Sequence, residues 1–181
     1  MNRIYGGAVA AAFAVAAQSA GAQAATVTLL GYKTSVPSGW TNRAPASSSR
    51  LAEYTIANPD GSLGAEVIVY FFGATQGGNV AANLTRWRGQ FSNPDGSPVG
   101  EKVTRDSTGA FPIIIAEYTG TYARGIGAGD ANNAKPGQTL VAAIVETPHG
   151  TMFVQLFGPS ARVATQRDAL VRFVNGLRDH Q

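Results

Sequence analysis

The sequence contains no cysteine, and this absence excludes three features at once. The chain cannot form a disulfide framework, cannot bind a metal through thiolates and cannot be lipid-anchored through an N-terminal cysteine. Folding must then depend on a hydrophobic core, and the roughly 155 residues that follow the first 24 are enough to bury one. We therefore expect a protein that folds without crosslinks and is indifferent to reductants and chelators.

The sequence also has few histidines and little excess of either charge. The chain carries 14 basic and 11 acidic side chains and two histidines. The basic residues form no stripe that would follow a nucleic-acid backbone, so no nucleic-acid partner is expected. His149 lies in a tight turn and His180 is the penultimate residue, positions typical of solvated histidines. Histidine-based acid–base catalysis is therefore not predicted.

The motifs of common enzymes and metal sites are missing too. There is no Gly-x-Ser-x-Gly elbow, no His-Glu-x-x-His and no aspartate-rich calcium loop. Gly73 and Gly78 reproduce the glycine spacing of a P-loop, but Asn79 stands where lysine is needed, so only a small anion could bind the backbone amides there. The sequence predicts no catalytic residues, no metal and no cofactor.

Four glutamates leave an enzymatic alternative open. Glu53, Glu66, Glu117 and Glu146 lie on predicted strands and could converge across a sheet face, as the paired carboxylates of a glycosidase do. They could equally be strand glutamates paired with arginines. An envelope enzyme that uses surface carboxylates or an arginine is the alternative to a noncatalytic function.

The N-terminus has the pattern of a secretory signal. One basic residue, Arg3, precedes an apolar run over residues 4–17, and Ala22 to Ala24 supply the small-x-small cleavage site. The run is too short and too rich in alanine and glycine to anchor as a transmembrane helix. We expect residues 1–24 to be a cleaved signal peptide and residues 25–181 to be one globular domain, periplasmic or secreted.

Hydrophobic periodicity predicts an α+β fold. Strands are predicted at residues 26–36, 50–57, 65–72, 101–105, 113–122, 139–147 and 151–157, and helices at 79–91 and 160–178. Asn79 and Ser160 are the predicted helix caps, and Trp87 is predicted to pack in the core. Strand 65–72 is apolar on both faces and should be central. Short turns between strands favour a mainly antiparallel sheet with the helices packed on it.

Three segments carry a resemblance to a known fold. A strand leads into Pro37, Gly39 and Trp40, a helix ends in Arg-Trp-x-Gly-Gln-Phe at residues 86–91, and segment 150–158 leads into an amphipathic C-terminal helix. Together they resemble the PsbP/Mog-like fold, an αβα sandwich, and exported bacterial proteins that share the Gly-Trp and Gln-Phe features. The resemblance implies a binding or assembly role and brings no catalytic motif.

Four residues are the candidate binding residues: Trp40, Arg50, Arg124 and Lys135. Trp40 follows a turn and is expected to be partly exposed, and Arg50 could clamp a carboxylate or pair with the neighbours of Glu53. Arg124 and Lys135 lie in residues 123–138, which lack apolar periodicity and predict a mobile, partner-contacting loop. The partner would be another envelope protein, or a small ligand carried in an apolar cavity between sheet and helix.

Overall fold

The predicted order of strands and two helices is present in the computed structural model, which describes residues 25–122 and 134–179. The strands are β1 (Thr26–Leu29), β2 (Tyr32–Ser35), β3 (Trp40–Arg43), β4 (Arg50–Ala57), β5 (Leu63–Phe71), β6 (Phe91–Ser92), β7 (Gly100–Asp106), β8 (Ile113–Tyr122), β9 (Lys135–Thr147), β10 (Gly150–Pro159) and β11 (Arg178–Asp179). The helices are α1 (Val80–Arg88) and α2 (Ser160–Asn175). This arrangement confirms the α+β class.

The strands form one large and one small antiparallel sheet. In the large sheet the order is β3-β4-β5-β10-β9-β8, and β6 and β7 both pair with β8. The small sheet has the order β1-β2-β11. Strand β5 lies between β4 and β10, as its two apolar faces predict. Among the described residues, no helix combines the length and the apolar character that crossing a membrane requires.

Side-chain alternation along the strands divides the core into two layers. On what we call the α2 face, residues such as Val69, Ile115 and Val141 pack against α2 through Leu170 and Phe173. On the α1 face, alternate residues of the same strands pack against Trp87 of α1, which is buried as predicted. The two helices therefore cover opposite faces of the large sheet.

The N-terminal segment is a hairpin and not the single edge strand predicted for residues 26–36. Leu29 pairs with Tyr32, and the two residues between them, Leu30 and Gly31, have φ angles of +50° and +88°. Two-residue hairpin turns with positive φ at both central positions match the twist of the flanking strands. Leucine is uncommon in this conformation, so the sequence pattern predicted continuous strand where the chain reverses.

The loops and helix ends also differ from the predictions. Strand β3 was not among the predicted strands, and β9 begins at Lys135, so the predicted loop 123–138 is wrong for its last four residues. The rest of that loop, including Arg124, lies outside the described residues apart from position 134. Helix α1 ends at Arg88, because β6 follows and pairs with β8. Helix α2 ends at Asn175, because β11 follows and pairs with β2.

The two predicted helix caps have different outcomes. Asn79 caps α1, and its side-chain Oδ1 accepts a hydrogen bond of 2.8 Å from the backbone N–H of Ala82. Ser160 is wrong as a cap because it is the first helical residue, preceded by Pro159 at the cap position. Its hydroxyl instead donates to the backbone carbonyl of Gly137 at 2.9 Å, which ties the start of α2 to β9.

Candidate functional site

Trp40 lies in the core and does not form an exposed binding site. The side chain is on the α2 face and is only 7% exposed, which corrects the prediction of a partly exposed ring. Its ring centroid lies 5.6 Å from that of Tyr54 and 5.4 Å from that of Phe173, and Nε1 donates to Gln166 Oε1 at 3.0 Å. Trp40 follows a turn and is the first residue of β3, where it pairs with Ile56 and α2 covers its indole ring.

Arg50 lies on the opposite face, in a cluster of four charged side chains: Arg43, Arg50, Glu53 and Glu66. Strand pairing places Arg43 directly opposite Glu53, and Arg50 three residues before Glu53 on β4. Arg43 bridges the two carboxylates, with Nη2 lying 2.8 Å from Glu53 Oε2 and 3.0 Å from Glu66 Oε1. We call this set the arginine–carboxylate cluster.

Glu53 is the centre of the cluster and is 0% exposed. Its Oε1 accepts hydrogen bonds from the backbone N–H of Ala46 at 2.6 Å and from Arg50 Nη1 at 2.8 Å, and its Oε2 accepts from Nε and Nη2 of Arg43. Burial alone would raise the pKa of Glu53, but the hydrogen bonds from Ala46, Arg50 and Arg43 outweigh it and lower the pKa from 4.5 to about 2. Glu53 is therefore ionised at neutral pH and acts as a structural anion.

The four candidate glutamates do not meet in one cleft. Glu53 and Glu66 share the cluster, whereas Glu117 lies on the α2 face, where Arg167 Nε donates to its Oε2 at 3.0 Å. Glu146 is exposed near the turn between β9 and β10. In the described part of the chain, no group of three histidine, cysteine, aspartate or glutamate residues could hold a metal ion.

Two stacked aromatic rings, the half-buried Tyr70 and the exposed Phe72, form a ledge beside the cluster. Their centroids are 5.8 Å apart with an interplanar angle of 9°, and the Arg50 guanidinium lies 5.6 Å from the Tyr70 centroid. Phe72 is 38% exposed and reaches back to Phe153 in the α1-face core, with centroids 5.9 Å apart. We call the two rings the aromatic ledge.

A groove of about 330 Å³ runs between the ledge and α1. Phe72, Gly77, Asn83 and Arg86 line it. Asn83 is buried, donates to the Gly77 carbonyl at 2.8 Å and accepts from Arg86 Nη2 at 2.5 Å, which fixes the arginine at the groove wall. The Ala82 amide that an anion would need at the helix start is already bonded to the Asn79 cap.

Lys135 lines a second, smaller cleft on the α1 face, at the ends of β5, β9 and β10. This cleft has a volume of about 240 Å³, and Glu66, Tyr122, Gln138 and Phe157 are among its other lining residues. Glu66 belongs both to the cleft and to the arginine–carboxylate cluster, so Arg50 and Lys135 lie along one face. The cleft is open at the strand ends and is not an apolar cavity between sheet and helix.

The aromatic ledge was missed by sequence reasoning. The alternation in residues 65–72 correctly placed Tyr70 and Phe72 on one side of the strand, but predicted that side to be covered. The helix that follows has nine residues, four fewer than predicted, and Phe72 stays exposed beside it. The helical pattern in the sequence extended to residue 91, so it carried no signal that the ledge would be exposed.

Comparisons with known proteins show the fold. No protein-family model matches the chain, and no curated protein matches it. The chain is similar in structure to cyanobacterial PsbP from Synechocystis sp. PCC 6803, with a TM-score of 0.55, 11% identity, and coverage of 92% of this chain and 98% of PsbP. It is also similar to a variant of the protein Mog1, with a TM-score of 0.52, 12% identity, and coverage of 86% and 95%. The fold is therefore PsbP/Mog-like, as the sequence features indicate.

Proposed function

We propose that this protein is a noncatalytic binding or assembly module of the cell envelope and that it binds another envelope protein through the aromatic ledge, Arg50 and Arg86. The observation that carries the proposal is a partly exposed aromatic stack at the end of β5, with an arginine on each side. Aromatic and arginine side chains dominate the binding energy of protein interfaces, and rigid elements lower the entropic cost of binding.

The charges at this surface favour an acidic, apolar partner segment. Arg86 is exposed and bonded only to the neutral side chain of Asn83 in the described structure. Arg50 is ion-paired with Glu53, but its side chain is still 24% exposed and lies over Tyr70. A carboxylate could pair with either guanidinium while an apolar side chain contacts Phe72.

The two alternatives are less well supported. An enzyme would need a titratable group poised near neutral pH in a concave site, whereas the buried Glu53 is held ionised by fixed donors. A small-ligand carrier would need an enclosed apolar cavity, whereas the clefts at Lys135 and at Arg86 both open to solvent. These observations support binding of a macromolecular surface ahead of either alternative.

The envelope location depends on the N-terminal sequence pattern. The expected mature N-terminus lies at Ala25 or within a few residues of it, because the small-x-small site ends at Ala24. N-terminal sequencing of protein from the periplasmic fraction tests this directly. Recovery of the chain with an intact Met1 from that fraction would contradict cleavage after Ala24.

Crosslinking in intact cells followed by mass spectrometry tests the binding surface. The variants Phe72→Ala and Arg86→Glu should each reduce recovery of crosslinked partners by about tenfold or more, the effect of removing an interface hot spot. Leu63→Ala and Arg172→Glu are matched controls, because both remove an exposed side chain of similar type away from the ledge. If all four variants keep the same partners and melting temperature, the ledge is not the binding surface.

A further inference from the structure

Strand β7 leaves one edge of the large sheet open. It pairs with β8 on one side, and no described residue pairs with its other side. None of its seven residues is buried, and Val103 is 43% exposed, one of three large hydrophobic side chains exposed in the described residues. An unpaired edge presents backbone N–H and C=O groups on which another strand can add.

The sequence of β7 is complementary to itself in the antiparallel direction. Two copies aligned with Val103 opposite Val103 place Glu101 of each copy opposite Arg105 of the other. Side chains alternate along a strand, so Glu101, Val103 and Arg105 all project on the same face. From this match we infer that the protein forms a symmetric dimer by pairing β7 with β7 of a second copy, joining the two eight-stranded sheets into one.

Glu101 and Arg105 are both available for such pairing. The Glu101 side chain is 33% exposed, and its own-chain contacts are long: Tyr118 Oη donates to its Oε1 at 3.2 Å, and Arg88 Nε lies 3.7 Å from its Oε2. Arg105 is exposed and forms no ion pair with the rest of the described chain. Opposite charges directly across an antiparallel pair stabilise it, so each dimer gains two such pairs.

Other registers fit less well. An alignment centred on Thr104 would pair fewer residues and would place Val103 against Arg105. It would also rely on Asp106, whose oxygens already accept hydrogen bonds from Asn175 Nδ2 and the Thr108 backbone N–H, each at 2.8 Å. The alignment centred on Val103 uses the full strand and leaves the bonds of Asp106 intact.

Analytical ultracentrifugation of the mature protein tests the dimer. An interface made by one strand pair buries little area, so we expect reversible dimers with a dissociation constant between about 10 µM and 1 mM. Arg105→Glu and Glu101→Arg each place like charges across the interface and should weaken self-association by about tenfold or more. Mixing the two variants restores both opposite-charge pairs, and the mixture should form heterodimers at the wild-type concentration.

The mixing experiment separates this interface from any other. Arg172→Glu is the matched charge control on α2 and should dimerise like the wild type. Melting temperatures confirm that each variant is folded before its association is compared. A wild-type protein that stays monomeric throughout the concentration range overturns the inference. An Arg105→Glu variant that dimerises with the wild-type dissociation constant, or variants that fail to associate when mixed, overturn it as well.

Discussion

The substitution Glu53→Gln should test the arginine–carboxylate cluster as a stabilising unit. Glutamine keeps the shape of the side chain but removes the charge that Arg43, Arg50 and the Ala46 amide surround. A fall of the Glu53 pKa from 4.5 in the unfolded chain to about 2 in the folded one corresponds to about 3 kcal/mol of stability at neutral pH. Both arginines are partly exposed and can regain water, so we expect a loss of about 2–4 kcal/mol.

The matched control is Glu117→Gln. Glu117 is also a strand glutamate bound to an arginine, but its side chain is 29% exposed and Arg167 is its partner from α2. Exposed ion pairs contribute about 0–1 kcal/mol, so this variant should lose less than about 1 kcal/mol. Urea unfolding followed by tryptophan fluorescence measures both differences, provided that the slope with denaturant is unchanged between variants.

The pH dependence of the free energy of unfolding tests whether the charge of Glu53 causes the stability difference. Because folding lowers the pKa of Glu53, its contribution is complete above about pH 5 and is lost as the pH falls through 4.5 towards 2. The difference between wild type and Glu53→Gln should therefore shrink from about 3 kcal/mol at pH 7 to about 1.4 kcal/mol at pH 3. An equal difference at both pH values, or a loss no larger than that of Glu117→Gln, would refute the reasoning.

Two further predictions concern packing and backbone conformation. Trp40→Phe should lower the free energy of unfolding in urea by about 1–2 kcal/mol, because it removes the hydrogen bond to Gln166 and reduces the core volume. The variant should retain its crosslinked partners. A loss of partners with unchanged stability would contradict the core role of Trp40. Gly150→Ala should cost at least about 1 kcal/mol more than Gly39→Ala by the same measurement. Both glycines have positive φ, but a Cβ at Gly150 would lie 2.9 Å from the Ala74 Cα, whereas one at Gly39 meets nothing within 4 Å, so equal losses would contradict the steric argument.

The fold followed from the sequence where packing is periodic. The alternation in β5 predicted a central strand, and Asn79 predicted the start of α1, because both features depend on neighbours within a few residues. The reversal at Leu30 was not predictable in the same way, since a leucine with φ of +50° has no local sequence signal. Trp40 was misplaced because its burial depends on α2, more than 100 residues later in the chain.

The candidate site was predictable only in part. Arg50 begins a strand after a loop, as predicted, and its ion-pair partner is Glu53 itself. The convergence of Glu53 and Glu66 depends on the register between β4 and β5, which includes two irregularities. Periodicity defines the face on which a side chain lies but not the residue opposite it. The contact of Arg50 with Tyr70 arises from that register.

The buried charge of Glu53 and the proposed binding surface are connected through Arg50. Glu53 accepts a hydrogen bond from the Ala46 amide in the loop after β3, and the Arg50 guanidinium that pairs with Glu53 lies over the ring of Tyr70. A side chain fixed in this way loses little entropy when a partner binds it. In the proposed dimer the two-fold axis is perpendicular to the joined sheets, so both ledges lie on the same side. Two sites held at a fixed separation favour a partner that carries repeated acidic segments, because binding of the first segment raises the effective concentration of the second.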